Sequence, residues 1–206
     1  NGMAARKASE TIKERLVAFL AERYQCAAAD VVFLPYRVRV RDAEISFDDM
    51  IGEAYRARVH LSAAGYYATP KIHWDRASGR GRPFFYFAYG AAVSEVAIDT
   101  LTGENRILRA DILHDVCKDC GASLNPAIDL GQIEGGFIQG MGWLTTEELW
   151  WDAEGRLRTH APSTYKIPAC SDRPIAMTIK LWEKGHNLEE TIYRSKAVGE
   201  PPLMLG

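Results

Sequence analysis

Apolar positions recur at helical spacing from the first residues. Across residues 3–24, Ala8, Ile12, Leu16 and the Phe19/Leu20 pair line one side while charged residues occupy the other, which predicts an amphipathic helix. The period then changes. Val31, Val32, Phe33 and Leu34 form a short buried-strand run, and residues 36–41 alternate between apolar and arginine positions, as a half-exposed strand does. Ser46 followed by Asp48 and Asp49 is a capping-box start for a short helix reaching about Val59. Its inward side is expected to carry Met50, Ile51, Ala54 and Tyr55. Residues 60–67 are expected to form a strand ending at Pro70, and residues 75–83, with Ser78, Gly79, Arg80, Gly81 and Arg82, a flexible surface loop.

The second half begins with an aromatic and β-branched stretch over residues 84–98 and an alternating one over 105–116. Thr100, Leu101, Thr102, Gly103 and Glu104 between them are hairpin-turn residues. Asn125 and Pro126 supply a cap and a first-turn proline for a helix running to about Trp143. Residues 150–155 suggest a turn, and residues 175–182 a strand of a second sheet. Helices mixed with hairpin-linked strands argue an α+β fold with mixed sheets and packed helices. With 206 residues, the chain fits one domain or two closely packed lobes, with a boundary near residue 120.

An apolar share of 47% suffices for a core, and a net charge of -2 gives no electrostatic case for nucleic acid or an anionic membrane. No run is long enough to span a bilayer, and the first residues lack a signal peptide's basic and apolar regions. Four cysteines do not make a disulfide scaffold, which suits a cytoplasmic protein with reduced thiols. Cys26 and Cys170 are expected as buried apolar thiols. Cys117 and Cys120 form a C-x-x-C pair, open to a redox or zinc role or to a plain loop with reduced thiols. The histidines are scattered, with no metal-ligand spacing, and Gly79-x-Gly81 lacks the strand-to-helix setting of a nucleotide loop. Arg37, Arg39 and Arg41 are read as a solvated face or a subunit contact ahead of an anion site.

Two segments carry chemistry. In the helix after Pro126, Gly131, Gly135, Gly136, Gly140 and Gly142 accumulate, although each interior glycine costs about 1 kcal/mol against alanine. Gly131 with Gly135, and Gly136 with Gly140, lie one turn apart, so each pair clears one face of side chains, while Ile133, Phe137 and Met141 make a separate apolar stripe. The cleared face admits either another helix or a flat cofactor. Glu134 is assigned as a surface or structural acid, and Tyr165 with Lys166, between Pro162 and Pro168, as a structural pair. The other segment is the tail, where Glu200 is the one acid in an apolar run, preceded by Gly199 and followed by Pro201 and Pro202. Pro201 biases Glu200 toward extended backbone, and Gly199 lets another body approach closely. A carboxylate fixed in a dry setting is tuned toward general-base work. The alternative is a solvated glutamate on a surface turn.

Four stretches, in order and spacing, resemble the molybdenum-binding subunit of the xanthine dehydrogenase and aldehyde oxidase family. They are Gly121-Ala122-Ser123-Leu124-Asn125-Pro126-Ala127-Ile128-Asp129, the glycine helix from Gly131 to Gly142, Pro162-Ser163-Thr164-Tyr165-Lys166-Ile167-Pro168, and the tail from Ser195 to Leu205. The resemblance covers essentially the whole chain and looks most like the xanthine dehydrogenase branch. Residues 117–120 look like an insertion against that pattern. The resemblance implies part of the second molybdenum-cofactor-binding domain, with Glu200 as catalytic base and with Gln132 and Gly199 at the molybdopterin cofactor. It implies oxidation of hypoxanthine or xanthine to urate with water as oxygen source. It also implies no metal ligand from this chain, since the cofactor's dithiolene holds the molybdenum. Implied partners are the remainder of the molybdenum-binding subunit, an iron–sulfur and FAD subunit that passes on the electrons, and a purine, within an oligomer. Both chain ends then look like cut edges of a larger subunit, and the isolated piece is expected to lack turnover. An aldehyde-oxidising or other N-heterocycle-oxidising enzyme, or a purely structural assembly module, are the alternatives.

Overall fold

The computed structural model describes residues 1–116 and 123–206. The C-x-x-C pair at Cys117 and Cys120, with Gly121 and Ala122 of the first resemblance stretch, lies outside the described residues. Helices alongside small antiparallel and mixed sheets make the fold α+β, as expected. Packing divides the chain into two compact units, Asn1–Pro70 and Lys71–Gly206, rather than near residue 120. The reason lies in the second unit's core, where strand residues Ala110 and Ile112 pack with helix residues Ile133, Phe137 and Met141. A boundary near 120 would cut that core in two.

In the first unit, α1 (Gly2–Arg23) precedes a three-stranded antiparallel sheet of β1 (Val31–Leu34), β2 (Arg37–Val40) and β3 (Ala43–Ser46), followed by α2 (Phe47–Arg56). Leu16 and Leu20 of α1, Val31, Val38 and Val40 of the sheet, and Met50 and Ala54 of α2 form its core. Ser46 caps α2 by accepting from the Asp49 N–H at 3.1 Å. The helix stops at Arg56, short of Val59. Arg58 takes a left-handed φ of 61°, and the Val59 N–H returns to the Ala54 carbonyl at 2.9 Å, a Schellman-type end. Tyr55 is 75% exposed instead of inward-facing. It lies about 100° around the helix from Ala54, past the edge of the buried stripe. Residues 60–67 join no sheet. The Arg15 guanidinium donates to the carbonyls of His60 and Ser62 at 3.0 and 2.8 Å, and Gly65 presses its backbone onto the first turn of α1, so this segment is held by α1 in place of a partner strand.

The second unit opens with a hairpin, β4 (His73–Asp75) and β5 (Arg80–Arg82), where the sequence suggested a loop. The Asp75 carboxylate accepts from the N–H groups of Ala77 and Ser78 and closes the turn. Next come β6 (Gly90–Ile98) and β7 (Asn105–His114), antiparallel as expected, then α3 (Pro126–Thr145), then β8 (Ala176–Leu181). β8 does not found another sheet. It pairs parallel with β7, giving the order β6-β7-β8. A parallel pair needs a long crossover, and α3 lies within it. Asn125 caps α3 through the Ile128 N–H at 3.3 Å. Among the described residues no helix is long and apolar enough to cross a membrane.

The two glycine pairs of α3 have different surroundings. Among the described residues, a Cβ at Gly131 or Gly135 would meet nothing within 4 Å. A Cβ at Gly136 would lie 3.0 Å from Pro202 Cβ and 3.2 Å from the Gly199 carbonyl oxygen, and one at Gly140 would run into the Leu203 carbonyl. The object on the face of Gly136 and Gly140 is therefore the chain's own tail. Gly140→Ala is expected to lower stability in urea unfolding by about 1–3 kcal/mol, because backbone must move. Gly135→Ala, in open helix, is expected to raise it by about 0.4–1 kcal/mol.

His114, at the end of β7, is 1% exposed, and its Nδ1 has no hydrogen-bond partner among the described residues. Burial pushes its pKa below the ordinary 6.5 despite the neighbouring Asp115. The unfolded chain therefore binds the extra proton first as pH falls. The stabilising contribution is complete above about pH 6.5 and is lost as pH drops from there toward the lower folded value. Melting temperature measured against pH should show this acid-side decline, and His114→Leu should flatten it.

Candidate functional site

Tail residues 195–206 cross the end of the β6-β7-β8 sheet and the glycine face of α3. Ser195 is fixed first: its carbonyl accepts from Thr191 Oγ1 at 2.7 Å and from Asn187 Nδ2 at 3.4 Å. Lys196 follows, buried, with Nζ 2.5 Å from Asp115 Oδ2 and 4.9 Å from the centre of the Tyr89 ring. The Lys196 N–H donates to the Val116 carbonyl at 3.3 Å and the Ala197 N–H to Tyr86 Oη at 2.9 Å. Val198 joins the apolar cluster around Phe137. Pro201–Leu205 closes the chain as a 3-10 turn, with Pro202 buried.

Glu200 is the residue before that turn. Its backbone is at φ -99° and ψ -40°, in the helical region and not extended as the following proline suggested. The Leu203 N–H takes the Glu200 carbonyl at 3.1 Å, which turns that carbonyl into the 3-10 turn. Seating of Pro202 on Gly136 outweighs the pre-proline preference. Glu200 is also exposed, so within residues 1–206 it is not the dry carboxylate the sequence suggested. The apolar neighbours in sequence point into the glycine face, and the acid is left outside.

Gln132 and Gly199 do come together, and Glu200 is the next residue along the chain. A Cβ at Gly199 would lie 2.8 Å from Gln132 Oε1, so the amide rests against the Gly199 backbone, one residue from the acid. Gln132 is exposed and its amide makes no hydrogen bond among the described residues. An exposed amide can donate and accept at one ligand edge. Beside it, the vacant glycine face at Gly131 and Gly135 lets a flat body reach the helix backbone. This amide, bare backbone and adjacent carboxylate fit a pterin-type group.

The other candidates stay apart from this cluster. Tyr165 donates to Glu147 Oε2 at 2.5 Å, a hydrogen bond that holds its phenol above the usual tyrosine range, while Lys166 Nζ donates to the Ser163 carbonyl at 2.7 Å. Both bonds are local, consistent with structural parts. Glu134 pairs with Arg173 at 3.3 Å. Cys170 is exposed and Cys26 half-buried, so neither is the buried thiol expected. Cys170 sits in a 3-10 turn, where no apolar layer covers it. Among the described residues no group of three histidine, cysteine or acid side chains converges as a metal site. Sequence reasoning missed the Asp115–Lys196 pair and the clamp in which Glu189 accepts from Lys71 at 2.7 Å and Arg82 at 2.6 Å. A lysine inside the apolar tail and an acid ending an alternating strand were the available signals for the first. The second joins residues too far apart in sequence to leave one.

The chain is 44% identical over 205 residues to the xanthine dehydrogenase/oxidase of Mus musculus, an alignment that takes in 100% of this chain and 14% of that protein. The chain thus spans about one-seventh of this relative's length. Among solved structures, the CO dehydrogenase from Oligotropha carboxidovorans shares the fold at a TM-score of 0.65 and 20% identity, over 99% of this chain and 24% of that one. The aldehyde oxidoreductase from Desulfovibrio desulfuricans matches at a TM-score of 0.58 and 25% identity, over 74% of this chain and 16% of that one. Residues 1–174 match the molybdopterin cofactor-binding domain, and with this whole chain aligned to a 44% identical relative, the chain belongs to that family of molybdenum hydroxylase domains.

Proposed function

We propose that this chain is the part of a xanthine dehydrogenase-type molybdenum hydroxylase that carries the catalytic base and one edge of the cofactor site. The observation that carries this reading is the Gln132 amide resting on the Gly199 backbone, next to Glu200 in the chain and beside the uncovered Gly131 and Gly135, in a chain aligned throughout with a xanthine dehydrogenase/oxidase. The cofactor, when bound, supplies the two-electron redox chemistry and holds the metal. The protein's share is positioning and proton transfer. Gln132 turns its amide to the pterin edge, and Gly199 leaves room for that approach. The Glu200 carboxylate accepts a proton as the water-derived oxygen becomes a nucleophile toward the purine carbon. For Glu200 to act this way, other parts of the enzyme must cover it, since desolvation strengthens a base at the reacting centre.

Hypoxanthine and xanthine are the proposed substrates, with urate as product. Other parts of the complete enzyme supply the iron–sulfur clusters, the FAD and the groups that grip the purine. The structural likeness to an aldehyde oxidoreductase favours one second reading, in which the same base serves an aldehyde.

Glu200→Ala in the complete enzyme tests the assignment. The expected result is a kcat lower by about 10²–10⁴-fold with molybdenum content retained. Near-normal turnover accompanied by poor assembly would instead make this segment a docking element. Turnover of aldehydes with no turnover of purines would favour the second reading.

A further inference from the structure

We propose that Lys196 and Asp115 are positioning residues for Glu200: their buried ion pair sets where the tail leaves the sheet and so where the acid stands. This rests on Glu200 being the base.

The pair is unusual in its surroundings. The side chains of Lys196 and Asp115 are 3% and 5% exposed, and their charged atoms are 2.5 Å apart. The Gly185 backbone packs directly on the Asp115 carboxylate, so closely that a Cβ there would collide with it. The Tyr89 ring lies against the ammonium on another side. Charges taken from water in this way seldom stabilise a fold more than apolar residues of the same size would. What an ion pair adds is direction, because a short charge-assisted bond defines one location for the lysine.

That location matters because of what is joined to it. Asp115 directly follows β7, and its N–H donates to the Tyr89 carbonyl at 2.8 Å. Ala110 and Ile112 of the same strand pack with Ile133, the neighbour of Gln132. The pair thus ties the tail to the frame that carries the cofactor-facing amide. Two backbone bonds complete the grip, from the Lys196 N–H to Val116 and from the Ala197 N–H to Tyr86. Beyond the acid, Pro202 and Leu203 are seated on Gly136 and Gly140. Residues 198–201 therefore form a short arc pinned at both ends, and Glu200 lies on it. Loss of one pin shifts the arc, and a misplacement of about 1 Å costs on the order of 100-fold in rate.

The test uses the full-length holoenzyme and the double substitution Lys196→Met with Asp115→Leu, which removes both charges of the pair together. Molybdenum content and melting temperature are expected to stay near the parent's. The kcat is expected to fall by about 100-fold with KM little changed. Hydrogen exchange in residues 195–206 is expected to quicken. Tyr86→Phe, which removes the acceptor of the Ala197 N–H, should move kcat and exchange in the same direction by less, and it decides the matter should the double variant not fold. Each is repeated with Glu200→Gln. If the pair acts through Glu200, it costs little further rate once that acid is gone. Parent-like kcat with parent-like exchange overturns the proposal, as does an equal loss in both backgrounds. Full activity of Glu200→Gln alone would instead remove the base assignment, and the positioning role with it.

Discussion

Seating of the tail on α3 is the contact on which the candidate site depends. Helix-interior glycines weaken a helix, and α3 has several. At Gly136 and Gly140 the weakness is offset because main chain packs on main chain: a Cβ at either position would meet Pro202, Gly199 or Leu203. No side chain of ordinary size leaves that space. The approach sets the height of residues 199–203 above the helix and places Gly199 against the Gln132 amide. The remaining pair, Gly131 and Gly135, is open at the same end of the helix as Gln132. One helix thus has a filled glycine face that holds the acid-bearing segment and a vacant one beside the amide.

In the proposed function the site is half of an enclosure. Glu200 and Gln132 are both exposed, although Pro202, two residues past the acid, is buried. A base meant for use in bulk water would not need an anchored tail with a buried ion pair upstream and a buried proline downstream. The chain spans 14% of the length of its mouse relative, and the proposed chemistry assigns the covering surface to the rest of such an enzyme. In that view the order built into residues 195–206 is preorganisation, with the acid already placed before the remaining walls are added.

Much of this architecture was legible in the sequence because it rests on local rules. The spacing of Ile12, Leu16 and Leu20, the Ser46 and Asn125 caps, and the turn between β6 and β7 each express short-range geometry, and the structure follows them. The glycine pattern correctly marked a face approached closely by something bulky. What was not legible depends on distant partners. β8 has the composition of a strand, but whether it adds to β7 or founds a new sheet is set by the crossover through α3. Residues 60–67 look like a strand until Arg15 takes their carbonyls. At Glu200 a local rule misled, since the preference imposed by Pro201 gave way to the burial of Pro202. The Asp115–Lys196 pair joins two segments whose adjacency only the folded sheet creates.

The most direct measurement of the central claim is a crystal structure of the complete enzyme with its cofactor bound. The account predicts that Glu200 faces the metal and is closed off from bulk water, with the Gln132 amide on the pterin and the Lys196–Asp115 pair intact. A Glu200 carboxylate still open to solvent, with the metal centre elsewhere, would contradict it.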